Sequence, residues 1–381
     1  MSRRVQLFRG GLEARLVARP NRFVILCELP SGQRLRAHCP NPGRMLELLL
    51  PGCELILEEK EGSDRKTPAT VVALRRPSDS RVVPLVSVAA NLLARELVLP
   101  ELFGPRATVI PEVARGASRF DFLVETPLGR TWVEVKSCTL EAHGVAMFPD
   151  AATLRGRRHL EELAAIKDGG RMVLFVIQGL EAKRFVPDIH ADPGFALALK
   201  AASEAGVAVR AATVGVSETG EAWLDSSEVP VDLGPVALAE ADAGVYMVVL
   251  ELDAERNISV AGLGIHSFSP GYYIYVGSGK KNLSARVARH LGRRKRMHWH
   301  FDYLRAEGGK ARGYPIYTDC DLECDLASDL GTIYTAPVAR FGSSDCSCRS
   351  HLFYTDADPR SDPAFVAILL RYRHQRSLSG C

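Results

Sequence analysis

The chain has 381 residues, enough for two or three domains with sizeable cores. Charged residues make up 24% of it and the formal net charge is +3, values typical of an ordinary soluble protein, so the distribution of charge is more informative than its sum. No uncharged apolar run could span a bilayer, no apolar signal core follows the N-terminus, and the nine cysteines are dispersed and odd in number, so we expect a cytoplasmic protein with reduced thiols.

Residues 1–84 alternate short strand-like runs with Gly/Pro turns, which predicts a small β-barrel or sandwich. The region is rich in arginine and has no matching cluster of acids before Glu47. An oligonucleotide-binding (OB) barrel would use such a basic groove to follow a phosphate backbone, although scattered surface arginines are the alternative. The candidate nucleic-acid contacts are Arg19, Arg22, Arg36 and Arg44. The polar turn AHCPNPGRM, residues 37–45, is either structural or a contact loop.

Residues 85–233 predict an α/β sheet domain with the element order α-β-β-β-α-β-α-β. We expect one helix over about residues 151–167, with Asp150 at its N-cap, and another over residues 193–204. Arg155 and His159 lie four residues apart on one face of the first of these helices, where phosphate contact and plain solvation are both reasonable.

The stretch at residues 118–138 predicts a β-hairpin whose polar face carries Asp121, Glu134 and Lys136. If Leu128 and Gly129 form the turn, Asp121 lies directly opposite Lys136, with Glu134 one diagonal step away. Two carboxylates beside an ammonium suit a Mg²⁺ or Mn²⁺ site for phosphodiester hydrolysis. A cross-strand ion pair on a solvated face is the alternative.

Several runs in this half resemble the SfsA family, named for sugar fermentation stimulation: AHCPNPGRM, ASRFDFLV, WVEVKSCTL, FPDAATLRGRRHLEEL and FVIQ. The resemblance covers about residues 7–233 and implies an OB-like domain, a PD-(D/E)XK nuclease-like domain and DNA binding. By position, Asp121, Glu134 and Lys136 match the catalytic core and Glu112 is an auxiliary carboxylate. The rival hypothesis is a non-catalytic DNA-binding regulator of sugar utilisation.

An acidic stretch without Lys or Arg, residues 215–243, ends this half, and residues 234–243 are interpreted as a linker before a second domain over residues 244–381. Eight Lys or Arg and no acid lie between Lys280 and Arg296, a density suited to phosphate neutralisation, with a solvated basic helix as the alternative. The candidate nucleic-acid contacts here are Arg289, His290, Arg293, Arg294, Arg296, His298 and His300.

About residues 241–355 resemble the GIY-YIG nuclease superfamily, in particular a branch that ends in FGSSDCSCRSHLFY. The resemblance makes Tyr246 and Tyr275 the motif tyrosines, Arg286 a phosphate ligand and Glu323 the metal-holding carboxylate. The two half-motifs are unusually far apart, which suggests an inserted hairpin around residues 262–270, and the usual downstream Asn is missing. Buried strand tyrosines in a binding-only domain are the alternative.

The densest thiol group is Cys320, Cys324, Cys346 and Cys348, with His351 nearby. Cys320 and Cys324 have the spacing of a zinc pair, but Cys346 and Cys348 are unusually close, so the sequence favours incidental thiols in a pocket lined by Ser343, Ser344, Asp345 and His351.

Together these features predict a fusion of two modules directed at nucleic acid, DNA rather than RNA. With no dinucleotide fingerprint and no P-loop, no nucleotide cofactor is expected. The predicted function is a metal-dependent nuclease.

Overall fold

The computed structural model describes residues 3–9, 11–59, 67–86, 88–116, 118–293 and 296–380. The chain divides into two compact units between Val236 and Ala237. Each unit has its own sheet system, and the two are described in turn.

The N-terminal region of the first unit forms a closed barrel. Strand β1 (Arg4–Gln6) precedes it, and its own strands are β2 (Leu12–Asn21), β3 (Val24–Glu28), β4 (Arg34–His38), β5 (Glu54–Glu59), β6 (Ala69–Arg75) and β7 (Val82–Pro84). The order β4-β3-β2-β5-β6 is antiparallel, parallel pairing of β4 with β6 closes the barrel, and β7 adds to β6. Closure removes the sheet edges, and the OB-like barrel predicted from the sequence is confirmed.

The rest of the first unit is built on a seven-stranded sheet of order β1-β16-β15-β13-β10-β9-β8, so β1 belongs to this sheet and not to the barrel. A smaller sheet, β11-β12-β14, was not predicted. The elements are α1 (Ala89–Leu93), a π-helical turn (Ala94–Val98), α2 (Leu99–Phe103), β8 (Thr108–Arg115), β9 (Ser118–Thr126), β10 (Gly129–Cys138), β11 (Leu140–Ala142), β12 (Val145–Phe148), α3 (Leu154–Ala165), β13 (Gly170–Gln178), β14 (Arg184–Pro187), α4 (Pro193–Glu204), β15 (Ala208–Val216) and β16 (Glu221–Ser226).

Both faces of this sheet are covered. Phe122 and Val135 pack in one core with Leu93 of α1, whereas Trp132 packs in another core with Leu160 of α3. The central strands β10, β13 and β15 are parallel, as expected for a sheet buried on both sides. The predicted α-β-β-β-α-β-α-β order is present, so the site residues on β9 and β10 lie beneath α3.

The hairpin turn differs from the prediction. Thr126 pairs with Gly129, so the turn residues are Pro127 and Leu128, not Leu128 and Gly129. Proline suits the first central position of a turn because its ring fixes φ near −65°. Continuing this register sets Asp121 opposite Glu134, not Lys136. The shift is two residues, so Asp121, Glu134 and Lys136 still share one face, and all three line the same cavity.

The predicted N-cap of the following helix is also wrong. Helix α3 begins at Leu154, and the Oγ1 of Thr153 accepts the Gly156 N–H at 3.0 Å. Asp150 instead accepts the backbone N–H of Met45 at 3.1 Å, so it holds the polar turn against this domain.

The second unit has a four-stranded antiparallel sheet of order β21-β17-β20-β22. The predicted inserted hairpin is β18 with β19, placed between the two central strands in sequence. From the unit boundary onward the elements are α5 (Val236–Ala241), β17 (Gly244–Leu252), β18 (Arg256–Val260), β19 (Gly264–Phe268), β20 (Gly271–Gly279), α6 (Leu283–Leu291), α7 (His300–Glu307), β21 (Ala311–Tyr317), α8 (Glu323–Gly331), β22 (Leu352–Thr355), a 3₁₀ turn (Pro359–Ser361), α9 (Pro363–Arg371) and a π-helical turn (Tyr372–Arg376).

Within the described ranges, no helix combines the length and the apolar character needed to cross a bilayer.

One buried acid makes the stability of the first unit depend on pH. Burial raises the pKa of Glu47 to about 8, and the charges of Asp150 and Asp188 add to the effect. The Oε1 of Glu47 is buried without a hydrogen-bond partner in the described part of the chain, although other atoms of the residue are accessible. The folded chain therefore keeps a proton that the unfolded chain releases near pH 4.5.

Stability should fall as the pH rises from about 4.5 to about 8, with a limiting slope of about 1.4 kcal/mol per pH unit. We expect Glu47→Gln to reduce this slope and to be more stable than wild type at about pH 8. Urea unfolding midpoints across this pH range measure the effect. The exposed Glu59→Gln is the matched control, and parallel pH profiles for wild type and Glu47→Gln would contradict the assignment.

Candidate active site

A cavity of about 480 Å³ opens beside the hairpin and the N-terminal end of α3. It collects residues from β8, β9, β10 and α3, including every site residue that the sequence proposed for this domain. The lining residues are Glu112, Arg119, Asp121, Glu134, Val135, Lys136, Phe148, Thr153, Arg155, Gly156 and His159.

Glu134 is the most buried acid of this cavity, with 3% of its surface exposed. Its Oε1 accepts a hydrogen bond from the Nζ of Lys136 and also contacts the Nδ1 of His159. Its Oε2 is buried and has no hydrogen-bond partner among the described residues. Because an unsatisfied buried oxygen is costly, this atom marks the position at which a ligand would be most favourable.

Asp121 faces Glu134 from the neighbouring strand. Its Oδ1 accepts from the Nδ2 of Asn91 at 2.8 Å, and its Oδ2 accepts from the backbone N–H of Val135 at 2.8 Å. Burial raises the pKa of Asp121, the charge of Glu134 raises it further, and the two hydrogen bonds and Lys136 oppose the rise. A bound cation would offset the cost of burying the charged carboxylate and would reduce its repulsion from Glu134.

Glu112 lies across from Asp121 on the other side of the hairpin, because Pro111 pairs with Phe122 and Val113 with Phe120. Its φ of +57° is in the left-handed region, an uncommon conformation for a residue with a side chain. The carboxylate is exposed and pairs with the Nη1 of Arg119 at 3.0 Å. The proposed auxiliary acid thus lines the cavity at its rim.

His159 and Arg155, proposed as nucleic-acid contacts, have different surroundings. His159 is buried, and its Nε2 accepts from the Nε of Arg155 at 3.3 Å while its Nδ1 faces Glu134. Arg155 is exposed at the cavity mouth. Of the two, Arg155 is placed to reach a phosphate, and His159 holds Glu134.

Of the four barrel arginines proposed as nucleic-acid contacts, one is bound within the protein and three are exposed. Arg19 donates to the backbone oxygens of Arg44 at 2.8 Å, Arg22 at 3.0 Å and Asn41 at 3.2 Å, so it holds the polar turn. Arg22, Arg36 and Arg44 are exposed.

The four residues proposed from the GIY-YIG resemblance share one neighbourhood in the second unit. Tyr246 and Tyr275 are buried, with ring centroids 6.4 Å apart. Burial raises the pKa of both phenols, the charge of Glu323 adds to the rise, and Arg286 opposes it. The Nη1 of Arg286 donates to the Ser278 carbonyl at 2.7 Å, and the Oε1 of Glu323 lies 3.0 Å from the Nδ1 of His351.

Some of the candidate nucleic-acid contacts of this unit are already bound within the protein. Arg289 pairs with both oxygens of the buried Asp302, at 2.9 and 3.0 Å. His290 is fully buried, and the Nδ1 of His300 accepts the Gly342 N–H at 3.0 Å. The exposed members are Arg293, Arg296 and His298. Arg294 lies outside the described residues.

Sequence reasoning missed Asn91, which holds Asp121, and Arg119, which lines the cavity. Asn91 comes from the otherwise apolar run VSVAANLLARELV, and a single amide inside such a helical stretch was the available signal. Arg119 gave no signal, because its contact with Glu112 depends on pairing between β8 and β9.

Comparison with known proteins found family matches in both units. Family models match residues 17–84 (SfsA N-terminal OB domain), residues 86–220 (Sugar fermentation stimulation protein RE domain) and residues 245–372 (Domain of unknown function DUF123). A sugar fermentation stimulation protein homolog from Methanothermobacter thermautotrophicus is 41% identical over 203 residues, covering 52% of this chain and 83% of the relative. A homolog from Pseudomonas paraeruginosa is 40% identical over 233 residues, covering 58% and 97%.

A solved structure, described as Pyrococcus furiosus SfsA in complex with Ca²⁺, is similar with a TM-score of 0.52 and 28% identity. The similarity covers 60% of this chain and 99% of that one. The two family models that match the first unit and these relatives therefore indicate the same family.

The contact between His159 and Glu134 is testable through stability. We expect His159→Leu to lower the free energy of unfolding by about 1–3 kcal/mol, because it leaves a buried carboxylate with one donor fewer. Arg158→Ala on the same helix is the control. Its side chain is 63% exposed and lies 3.7 Å from Glu162, so its loss should cost less than about 0.5 kcal/mol. Urea unfolding gives both values, and equal effects would show that the His159 contact contributes nothing.

Proposed function

The chain belongs to the SfsA family, and from that premise we propose that Asp121, Glu134 and Lys136 form a divalent-cation-dependent site that hydrolyses phosphodiester bonds in DNA. The observation that carries the proposal is the buried Oε2 of Glu134, which has no hydrogen-bond partner in the described part of the chain and belongs to a residue that lines the same cavity as Asp121. Carboxylate oxygens are the donors that Mg²⁺ and Mn²⁺ prefer.

The residues present fit such an ion. Glu134 offers Oε2, and each oxygen of Asp121 keeps a lone pair beyond the single hydrogen bond it accepts. Once bound, a divalent cation would stabilise the negative charge that develops on the phosphate and favour deprotonation of a water. The related structure with Ca²⁺ supports the proposal, since Ca²⁺ and Mg²⁺ both take oxygen ligands.

Lys136 and Arg155 supply the positive charge of the site. Lys136 lies beside Glu134 and holds its Oε1, so its ammonium is positioned next to the reacting phosphate and can orient the attacking water. Arg155 at the cavity mouth binds a neighbouring phosphate. His159 contacts the Oε1 of Glu134 and fixes the orientation of this carboxylate, so it is a positioning residue.

Exposed basic side chains of each unit supply further contacts to nucleic acid. Arg22, Arg36 and Arg44 form the barrel contact, and Arg293, Arg296 and His298 form a second contact on the GIY-YIG-like module. The tyrosines of that module are buried, so within the proposal its first role is binding, and cleavage centres on the first unit.

Cleavage assays test the site. We expect the wild-type chain to nick or cleave DNA with Mg²⁺ or Mn²⁺, and Asp121→Asn, Glu134→Gln and Lys136→Met each to reduce the rate at least about 100-fold. Glu125→Gln, which removes an exposed carboxylate of the same strand β9, is the matched control and should cleave like wild type.

Wild-type rates in Asp121→Asn and Glu134→Gln would refute the site. DNA binding without any wild-type cleavage would favour the regulator hypothesis. Calorimetric titration of the folded variants with Mn²⁺ separates loss of the ion from loss of the fold.

Salt dependence tests the DNA contacts separately. If about six phosphates are neutralised, log K for duplex DNA should fall with log salt at a slope near −5. Arg36→Ala and Arg296→Ala should each make the slope shallower by about 1. Fluorescence anisotropy over a salt series measures it, and a flat response would remove both contact surfaces.

A further inference from the structure

Three thiols and one imidazole converge in the second unit, outside the sites described above. Cys324, Cys346, Cys348 and His351 each offer one ligand atom, and these four atoms all lie within 4.8 Å of one another. Cys320, whose spacing to Cys324 resembled a zinc pair, is disulfide-bonded and is not in the group, so the expectation of reduced thiols is wrong for this residue. His351 belongs to the group. We propose that these four residues bind one zinc ion.

The distances suit a tetrahedral ion. With Zn–S near 2.3 Å and Zn–N near 2.05 Å, a tetrahedron has ligand-to-ligand edges of about 3.5–3.8 Å. The Sγ of Cys346 lies 3.5 Å from the Nε2 of His351, the value of a sulfur–nitrogen edge. Three thiolates and one imidazole form a closed set typical of structural zinc, with no position for substrate water.

The local fold holds the ligands in place before any ion binds. Cys324 lies in the first turn of the nine-residue helix α8, which fixes the backbone at this ligand. The segment with the other three ligands is closed by two backbone bonds, from Arg340 N–H to the Arg349 carbonyl at 2.7 Å and from His351 N–H to the Phe341 carbonyl at 2.8 Å. Arg340 also donates to the Cys346 carbonyl at 2.9 Å.

The outer face of the histidine completes the arrangement. His351 is buried, and its Nδ1 lies 3.0 Å from the Oε1 of Glu323, at an angle outside the hydrogen-bond range. A small rotation of the carboxylate would give the carboxylate–histidine–zinc contact that orients many zinc ligands. The tautomer with the proton on Nδ1 leaves Nε2 as the ligand atom.

A bound ion would also hold in place the segment that packs against the buried Tyr275. In the ligand segment, Gly342 is packed so closely that a Cβ there would lie 2.8 Å from the Cε2 of Tyr275. Its N–H donates to His300 at 3.0 Å. Zinc would therefore anchor α8 and this segment against Tyr275 and His300.

Metal analysis of the full chain, purified in reducing buffer, tests the proposal. We expect about one zinc per chain, and less than about one tenth of that in Cys346→Ser and in His351→Asn. Ser347→Ala, which changes an exposed residue between two of the ligands, is the matched control and should keep the zinc. Co²⁺ added to chelator-treated wild type should give the visible bands of tetrahedral cobalt and thiolate charge transfer, a readout that needs no variant.

Wild-type protein without zinc and without a cobalt spectrum would overturn the proposal. A disulfide between any two of the three thiols in the purified chain would also overturn it, as would equal zinc loss in Ser347→Ala and Cys346→Ser. A chelator should lower the unfolding temperature of wild type and leave that of His351→Asn unchanged.

Discussion

Burial of the Glu134 carboxylate is the constraint around which the first unit is built. A charge at this depth is stable only if donors reach it, and they come from two elements: Lys136 from its own strand and His159 from α3. Helix α3 is in turn held at its start, because the buried Asp192 accepts the Thr153 N–H at 2.7 Å and also pairs with Arg157. The capping residue of α4 thereby sets the position of a side chain in the cavity.

The sequence predicted the faces of the hairpin better than its register. Alternation alone places Asp121, Glu134 and Lys136 on one side, and a two-residue shift of the turn leaves that result unchanged. The shift does change partners, since Asp121 now faces Glu134. Turn geometry depends on whether Pro127 or Leu128 takes the first central position, and local composition permits both.

What the sequence could not supply are contacts between elements far apart in the chain. Asn91 reaches Asp121 across 30 positions, and Cys324 meets Cys346 across 22. The order of helices and strands could be predicted from periodicity, because the spacing of apolar residues within each element reflects which of its faces is buried. Side-chain contacts depend on how two elements pack together. A pair such as His159 and Glu134 therefore cannot be predicted from either segment alone.

The two units use the same pair of groups for opposite purposes. In each, the Nδ1 of a buried histidine faces a glutamate Oε1, His159 with Glu134 and His351 with Glu323. In the first pair the far nitrogen of the histidine meets Arg155, so the histidine positions the carboxylate, and the buried Oε2 of Glu134 has no hydrogen-bond partner among the described residues. In the second pair the far nitrogen meets a thiol, so the carboxylate serves the histidine. Glu134 has an oxygen without a hydrogen-bond partner in the described ranges, whereas Glu323 lies beside a proposed zinc ligand, so the proposed catalytic cation is assigned to Glu134 and not to Glu323.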